Sequence, residues 1–125
     1  MIDFKLLRIS VGLMLVSLFY SCEEVIFSED ISEDTIMVIA PVDGAEVNAL
    51  TINFNWEDLE GATDYQVQVA ESSFEQANQI ILDTIINQTS FSSEIPVGNY
   101  QWRIRGQNNN YQTNYSIQDL TVTQD

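Results

Sequence analysis

The sequence predicts an all-β domain, an antiparallel β-sandwich of about seven strands, and three observations support this prediction. Short apolar stretches alternate with polar residues at a period of two, as in strands with one buried face. Turn-forming residues separate these stretches, as in sandwiches built from short strands. From Thr35 onward, the chain lacks the apolar period of a helix.

The stretch from Ile95 to Gln107 has the clearest strand pattern. Its two faces are Tyr100, Trp102 and Ile104 on the apolar side and Gln101, Arg103 and Arg105 on the polar side. Pro96 and Gly98 precede it and favour a turn, because proline fixes φ and glycine tolerates positive φ. Two aromatic side chains on one face give this strand a large apolar surface, so we expect it to lie centrally in a sheet.

Further stretches complete the predicted sandwich. They are residues 36–40, 52–56, 65–69, 80–86, 89–95 and 117–122. Pro41 and the turn pair Asp43-Gly44 end the first of them. In the last, Ile117 and Leu120 fall on opposite faces of an ideal strand, so we expect a bulge there or an earlier loop that extends into it. The alternation predicts four aromatic core residues: Trp56, Tyr65, Tyr100 and Trp102.

The charge balance excludes some partners. The chain has 19 acidic residues, 4 basic residues and no histidine, which gives a formal net charge of -15. Such a chain repels the phosphates of nucleic acids, so we expect no nucleic-acid partner. With Cys22 as its single cysteine and no histidine, the chain lacks the ligands of a zinc site, and we predict no metal and no cofactor.

Residues 1–21 have the pattern of an export signal. Lys5 and Arg8 give a positive start, and apolar or small residues follow from Ile9 to Tyr20, a run shorter than the roughly 20 residues of a membrane-spanning helix. Ser21-Cys22 closes the segment and resembles the lipobox of bacterial lipoproteins. The resemblance implies cleavage before Cys22 and acylation of that cysteine, which would anchor the protein in a membrane. The alternative is an unacylated leader with a free thiol.

Residues 22–34 are predicted to form an acidic, solvated tether. Acidic residues dominate this segment: Glu23, Glu24, Glu29, Asp30, Glu33 and Asp34. No strand or helix period is present, and repulsion between the carboxylates should extend the chain. The predicted organisation is therefore a lipoprotein signal peptide over residues 1–21, a lipidated cysteine and tether over 22–34, and the β-sandwich over 35–125.

Three motifs resemble a fibronectin type III domain of the bacterial surface-protein kind. They are Ile52-x-Phe54-x-Trp56, Gly61-Ala62-Thr63-x-Tyr65-x-Val67-x-Val69 and Ile95-Pro96-x-Gly98-x-Tyr100-x-Trp102-Arg103-x-Arg105. The resemblance covers roughly residues 36–123. It implies an immunoglobulin-like sandwich in which Trp56 packs in the core and Tyr100 forms a tyrosine corner.

A polar sheet face is the first candidate site. Arg103 and Arg105 are the only basic residues that follow the leader, and strand parity turns both outward beside Gln101. In the fold that the resemblance implies, the third strand neighbours the sixth, so Gln66 and Gln68 should join the same face. We interpret this face as a contact surface for a polar or acidic partner, since arginine is favoured at interfaces. The alternative is a solvated face with weak surface ion pairs.

The loop from Gly106 to Tyr115 is the second candidate site. It is rich in asparagine and tyrosine, which are typical of adaptable recognition loops. Tyr111 at its tip would be the anchor residue, with Asn109, Asn110 and Tyr115 around it, and the family resemblance suggests a binding role for this loop. The alternative is a plain solvent-exposed hairpin loop.

Catalysis would depend on carboxylates, because the chain has no histidine. Glu57, Asp58 and Glu60 share one loop, and paired carboxylates can hydrolyse glycosides or, in other arrangements, hold calcium. A small sandwich offers little of the concavity that catalysis needs, and the spacing matches no calcium loop, so we interpret the loop as a solvated acidic turn. We predict no catalytic residue. Asp34-Thr35-Ile36 and Asp83-Thr84-Ile85 also resemble O-glycosylation sites of some envelope bacteria.

These observations predict an envelope lipoprotein of the outer membrane. Its sandwich would bind or scaffold a protein or glycan, as an accessory subunit of a larger envelope complex. The alternatives are a purely structural envelope subunit without its own ligand and a small carboxylate-dependent glycoside-active protein. The partners expected are the membrane, through the lipid anchor, and a protein or glycan.

Overall fold

The computed structural model describes residues 27–76 and 79–125. Within them lie eight strands: β1 (Val38–Ala40), β2 (Ala45–Asn48), β3 (Thr51–Trp56), β4 (Asp64–Glu71), β5 (Ile80–Ile86), β6 (Ser90–Glu94), β7 (Gly98–Gln107) and β8 (Ser116–Thr123). They form two sheets, one in the order β1-β3-β6 and one in the order β2-β8-β7-β4-β5. The predicted all-β sandwich is therefore confirmed. The predicted signal peptide and Cys22 lie outside the described residues.

The sandwich has two ends, which the strand directions define. β3 and β4, β5 and β6, and β7 and β8 are each joined at the same end, because each of these connections reverses the chain. We call this end, with residues 57–63, 87–89 and 108–115, the loop pole. The opposite end, with residues 72–76, 79 and 95–97, is the far pole. β7 lies between β8 and β4, so the strand with the clearest sequence pattern is central in the five-stranded sheet.

The core lies between the sheets and contains the aromatic residues predicted for it. Trp56, Tyr65, Tyr100 and Trp102 are all buried. Trp102 meets Phe54 edge-on, with ring centroids 5.0 Å apart, and its indole Nε1 donates to the carbonyl of Pro41 at 3.2 Å. Edge-to-face aromatic pairs stabilise beyond the area they bury, so these contacts join the two sheets.

A tyrosine corner closes the turn before β7. The hydroxyl of Tyr100 donates to the carbonyl of Pro96 at 2.7 Å, which ties the strand back to the turn that precedes it. A Cβ at Gly98 would come within 3.2 Å of the Tyr100 hydroxyl oxygen, a close contact that glycine avoids. Burial raises the pKa of Tyr100, and the nearby charge of Glu71 raises it further.

The predicted first strand corresponds to β1, and β2, a strand that the sequence did not predict, follows it. β1 pairs antiparallel with β3, whereas β2 leaves that sheet and pairs in parallel with β8. The crossover follows Pro41 and turns at Gly44, whose φ of 81° suits glycine. The sequence prediction missed β2 because only two apolar residues, Ala45 and Val47, mark it. This crossing explains why eight strands are present where about seven were predicted.

The bulge expected in the last strand is not needed. β7 and β8 pair in continuous register from Gly98 opposite Val122 to Ile104 opposite Ser116. Ile117 simply points outward, with 48% of its surface exposed, and Gln118 takes the inward position instead. With its amide oriented to accept from the Ser116 hydroxyl, Gln118 donates to the carbonyl of Trp102 at 3.3 Å, which satisfies a buried polar group.

The predicted tether is corrected in its second half. We call residues 28–34 the N-terminal segment, and they pack on the sandwich rather than extend into solvent. Ile31 is completely buried, and the amide of Asp34 donates to its carbonyl at 3.0 Å to close a turn. The burial of one isoleucine, worth about 1.5–3 kcal/mol, outweighs the weak repulsion of exposed carboxylates that favoured an extended chain. The globular part therefore includes residues 28–34 and does not start at Thr35.

Within residues 27–76 and 79–125, no helix is long and apolar enough to cross a membrane.

Candidate functional site

The outer surface of the five-stranded sheet carries most of the residues predicted for the polar sheet face. Strand pairing sets Gln66 opposite Arg105 and Gln68 opposite Arg103, with all four side chains directed away from the core. Two aromatic residues from loops at opposite ends of the sheet lie over them. We call the six side chains the arginine face: Gln66, Gln68, Phe74, Arg103, Arg105 and Tyr115.

Guanidinium groups and aromatic rings are stacked on this face. The Cζ atom of Arg103 lies 4.0 Å from the centroid of the Phe74 ring and 4.1 Å from that of Tyr115. The Cζ atom of Arg105 lies 4.7 Å from the same Tyr115 ring. Such cation–π contacts are each worth about 0.5–1 kcal/mol at exposed sites. They fix two otherwise flexible side chains against the sheet.

Glutamine side chains hold the two arginines from the neighbouring strand. The Nε atom of Arg103 donates to the Oε1 atom of Gln68 at 2.8 Å. Arg105 donates to the Oε1 atom of Gln66 twice, from Nε at 3.0 Å and from a terminal nitrogen at 2.7 Å. The hydrogen-bond acceptors of both guanidinium groups are thus neutral amides within the described residues.

Two carboxylates border the face without bonding to the arginines. Asp83 accepts a hydrogen bond from the Nε2 atom of Gln66 at 3.0 Å, and Asp119 accepts one from the Nε2 atom of Gln101 at 2.8 Å. Gln101 also accepts from the amide of Phe74 at 3.0 Å, which fixes the loop that carries this ring. Gln101 therefore has a structural role beside the face. The two aspartates lie on either side of the central arginines, on β5 and β8.

Exposed apolar side chains accompany the arginines. Ile85 lies opposite Gln66 on β5 with 61% of its surface exposed, and Ile117 lies opposite Arg103 on β8 with 48% exposed. Arginine and aromatic residues with apolar neighbours are the composition found at the centre of protein interfaces. The arginine face has this composition.

The second predicted site, the loop between β7 and β8, contacts its own chain. The Nδ2 atom of Asn108 donates to the carbonyl of Glu29 at 2.8 Å and to that of Gly61 at 2.9 Å. The Nδ2 atom of Asn110 donates to the Ser28 hydroxyl at 3.0 Å. The loop therefore binds the N-terminal segment across the loop pole.

The four residues predicted for this loop have different environments. Asn109 is exposed, whereas Tyr111 is half-buried and its amide donates to the Oδ1 atom of Asn108 at 2.9 Å. Asn110 holds the N-terminal segment, and Tyr115 belongs to the arginine face. Tyr111 and Asn109 thus do not form one surface with Tyr115.

The acidic loop after β3 is partly structural. The Tyr65 hydroxyl donates to the Oδ1 atom of Asp58 at 2.6 Å and accepts from the amide of Leu59 at 3.0 Å. Burial raises the pKa of Tyr65, and the hydrogen bond to Asp58 adds to this effect. Glu57 and Glu60 are exposed. Within residues 27–76 and 79–125, no cluster of three or more acidic, histidine or cysteine side chains could hold a metal ion.

The two predicted glycosylation motifs also differ in accessibility. Thr35 is exposed, whereas Thr84 is half-buried on β5 opposite Val67, a core residue. Only the first of the two threonines presents its side chain freely to solvent.

Sequence reasoning missed two residues that organise these regions. Phe74 covers Arg103, but it stands alone in a polar loop without a strand period to mark its direction. Asn108 bonds to two carbonyls that are distant in the chain, and the run Asn108, Asn109, Asn110 does not reveal which asparagine does so. The one available signal was the isolated aromatic residue itself.

Comparison with known proteins decides the fold family. Fibronectin(III)-like modules of Clostridium thermocellum CbhA superpose with a TM-score of 0.52 at 11% identity, over 71% of this chain and 96% of that one. The fold is that of a fibronectin type III domain. The crystal structure of FN3tt gives a TM-score of 0.51 at 13% identity, with 73% and 89% of the chains covered. The fibronectin type-III domain of human fibronectin type III domain containing protein 3 gives 0.52 at 12%, with 78% and 93% covered.

At these low sequence identities, the similarity to fibronectin type III domains shows the fold alone. The chain matches no protein-family model and no curated protein sequence. The function of this chain is therefore inferred from the contacts and charges of its own residues.

Proposed function

We propose that this protein is a lipid-anchored lipoprotein of the bacterial cell envelope that binds or scaffolds a partner through the arginine face. In this proposal Cys22 carries the acyl anchor in the outer membrane. The fibronectin type III domain is then an accessory module of a larger envelope complex. It holds a protein or glycan and performs no catalysis of its own.

One observation carries the binding role: both arginines of the face bond to glutamine oxygens in a domain that is rich in carboxylates. Hydrogen bonds from arginine to a carboxylate are roughly twice as strong as those between neutral groups. An arginine that served only the fold would therefore gain from such a pair. Amide acceptors instead fix the guanidinium groups and leave their charge available to a partner.

The position of the N-terminal segment is a second argument for binding through the arginine face. It enters at the loop pole, so a lipid on Cys22 brings that pole towards the membrane. Only residues 23–27 then separate the anchor from the domain, a reach of roughly 20 Å when fully extended. The arginine face lies along the side of the sandwich, parallel to the strands, and stays accessible in this orientation.

Catalysis is the less favoured alternative. Glu57 and Glu60 are exposed, and Asp58 is engaged by the Tyr65 hydroxyl. A carboxylic acid that donates a proton at neutral pH needs a cleft that removes water from around it. The acidic loop offers its carboxylates to solvent instead.

Site-specific photocrosslinking in intact cells tests the binding role. A photoreactive residue replaces Ile85 beside the arginine face or, as a matched control, Ile39, which is 53% exposed on β1 of the other sheet. We expect a discrete high-mass adduct at position 85 and none at position 39. Equal adducts at both positions, or none at position 85, would overturn the proposal that this face is the contact surface.

The anchor is tested separately with Cys22→Ser. We expect the variant to lose acyl labelling and to leave the membrane fraction or to remain uncleaved, while the wild type partitions into detergent. Unchanged detergent partitioning of the variant would contradict lipid anchoring at Cys22.

A further inference from the structure

We propose that the partner of the arginine face is a protein and that it contributes an extended segment with two carboxylates two residues apart. This inference rests on the proposed function and defines the chemistry of the partner. Four features of the face support it: the spacing of the arginines, the free edge of Arg103, the flanking aspartates and the apolar neighbours.

The spacing of the two cations matches an extended chain. Arg103 and Arg105 are alternate residues of β7, so their Cα atoms are about 7 Å apart at the rise of a β-strand. Alternate residues of any extended segment repeat at the same distance and point to the same side. Two carboxylates at positions i and i+2 of such a segment can each meet one guanidinium group.

The edge of Arg103 has the geometry for a carboxylate. Its Nε donates to Gln68, and its terminal nitrogens have no acceptor among the described residues. The rings of Phe74 and Tyr115 pack on the guanidinium group, so a ligand approaches along its edge. Two parallel N–H donors on a planar edge are the arrangement that binds a carboxylate bidentately.

The flanking aspartates restrict the ligand to one row of charges. Asp83 lies beyond Gln68 on β5, and Asp119 lies next to Gln101 on β8. Carboxylates of a broad acidic surface would meet these aspartates and be repelled. A narrow extended segment that follows β7 keeps its carboxylates over the arginines alone.

The apolar neighbours favour a protein over an acidic polysaccharide. Ile85 and Ile117 are exposed on the same face, where a protein segment can cover them with its own apolar side chains. Sugar rings recognise proteins largely by stacking on free aromatic faces, but Tyr115 is engaged by two guanidinium groups. The face therefore offers charge and aliphatic surface rather than an aromatic platform.

Peptide binding to the full-length protein, purified in a mild detergent, tests this inference. The probe is a seven-residue peptide of threonine and valine with aspartates at its third and fifth positions. The matched control has the same composition with aspartates at its third and fourth positions, which point to opposite sides of an extended chain. Calorimetry gives the Kd of each peptide at two salt concentrations.

We expect the alternate-aspartate peptide to bind at least about tenfold more tightly than the adjacent-aspartate control, because only it meets both guanidinium groups. Raising the salt concentration should weaken it, and Arg105→Gln should remove the difference between the peptides. Equal affinity of the two peptides in the wild type overturns the inference. So does displacement of the probe by polygalacturonate at a lower concentration than by the peptide itself.

The two proposals fail separately. If photocrosslinks form at position 85 but the peptides bind equally, the face is a contact surface and its ligand is not the segment inferred. If no photocrosslink forms at position 85, the contact surface itself is wrong, whatever the peptides do.

Discussion

The loop pole and the arginine face both contain side-chain amides, but the amides have different roles in the two regions. At the loop pole, Asn108 and Asn110 donate to the N-terminal segment and complete the domain. On the arginine face, Gln66 and Gln68 accept from the arginines and hold them in place. In the first region the amides bond to oxygen atoms of the same chain, whereas in the second neutral amide oxygens hold two cations.

This difference shows that loop composition alone does not identify a binding site. A loop rich in asparagine and tyrosine is typical of recognition, yet the same residues can bind a segment of their own chain. What distinguishes the regions is whether their strongest donors already have a charged or backbone partner. Substitutions in each of the two regions test this difference.

Ile31→Ala should destabilise the domain by about 2–5 kcal/mol, because it removes a completely buried side chain at the loop pole. Phe27→Ala is the control, since that side chain is 87% exposed, and it should change stability by less than about 0.5 kcal/mol. Chemical denaturation of both variants measures the difference. Similar midpoints would mean that the N-terminal segment is a tether after all.

Gly61→Ala should lower the free energy of unfolding by about 1–3 kcal/mol more than Gly44→Ala does. Both glycines have positive φ, 92° and 81°, so both substitutions strain the backbone. A Cβ at Gly61 would also come within 2.7 Å of Glu29 Oε2 and 3.0 Å of the Ile31 side chain, whereas a Cβ at Gly44 meets nothing within 4 Å. The difference in destabilisation between the two variants, measured by thermal denaturation, reports the contact of Gly61 with the N-terminal segment. An equal cost for the two alanines would remove the evidence for that contact.

Asn108→Ala should cost about 1–2 kcal/mol, because the carbonyls of Glu29 and Gly61 each lose a donor. Asn109→Ala removes an exposed side chain of the same type and should be nearly neutral. Limited proteolysis adds a local measurement, since the first variant should be cut faster within residues 28–34. If Asn109→Ala is instead the less stable and more rapidly cleaved variant, Asn108 is not the residue that fixes the N-terminal segment.

Arg103→Gln should have the smallest effect on stability, about 1 kcal/mol or less, because it removes only exposed cation–π contacts and one hydrogen bond. The same variant should lose the photocrosslink at position 85. A folding defect as large as that of Ile31→Ala would mean that the arginine serves the fold, and the contrast between the two regions would disappear.

Much of the fold was predictable because its physical signals are local. Strict alternation in β7 places Trp102 inside and Arg103 outside, and the structure has both where the pattern predicts them. Gln66 and Gln68 followed from the resemblance, which made β4 the neighbour of β7. Strand period and family topology together therefore predicted four of the six residues of the arginine face: Gln66, Gln68, Arg103 and Arg105.

The remaining features depend on contacts between distant parts of the chain. Ile31 is one apolar residue among acids, so no period marks its burial, and its partner Gly61 is thirty residues away. Ile117 and Gln118 exchange the positions that their polarity predicts, because Gln118 finds a hydroxyl and a carbonyl inside the sandwich. Such contacts form only when the two sheets pack together, so the local pattern of a single sequence does not predict them.

The most direct test of the central claim compares the two regions in one experiment on intact cells. Photoreactive residues replace Ile117, beside the arginine face, and Asn109, at the exposed tip of the loop pole, in otherwise identical lipoproteins. We expect the partner adduct at position 117, abolished by Arg103→Gln and Arg105→Gln together, and no adduct at position 109. An adduct at position 109 that survives the loss of both arginines would contradict the claim and return the binding role to the loop.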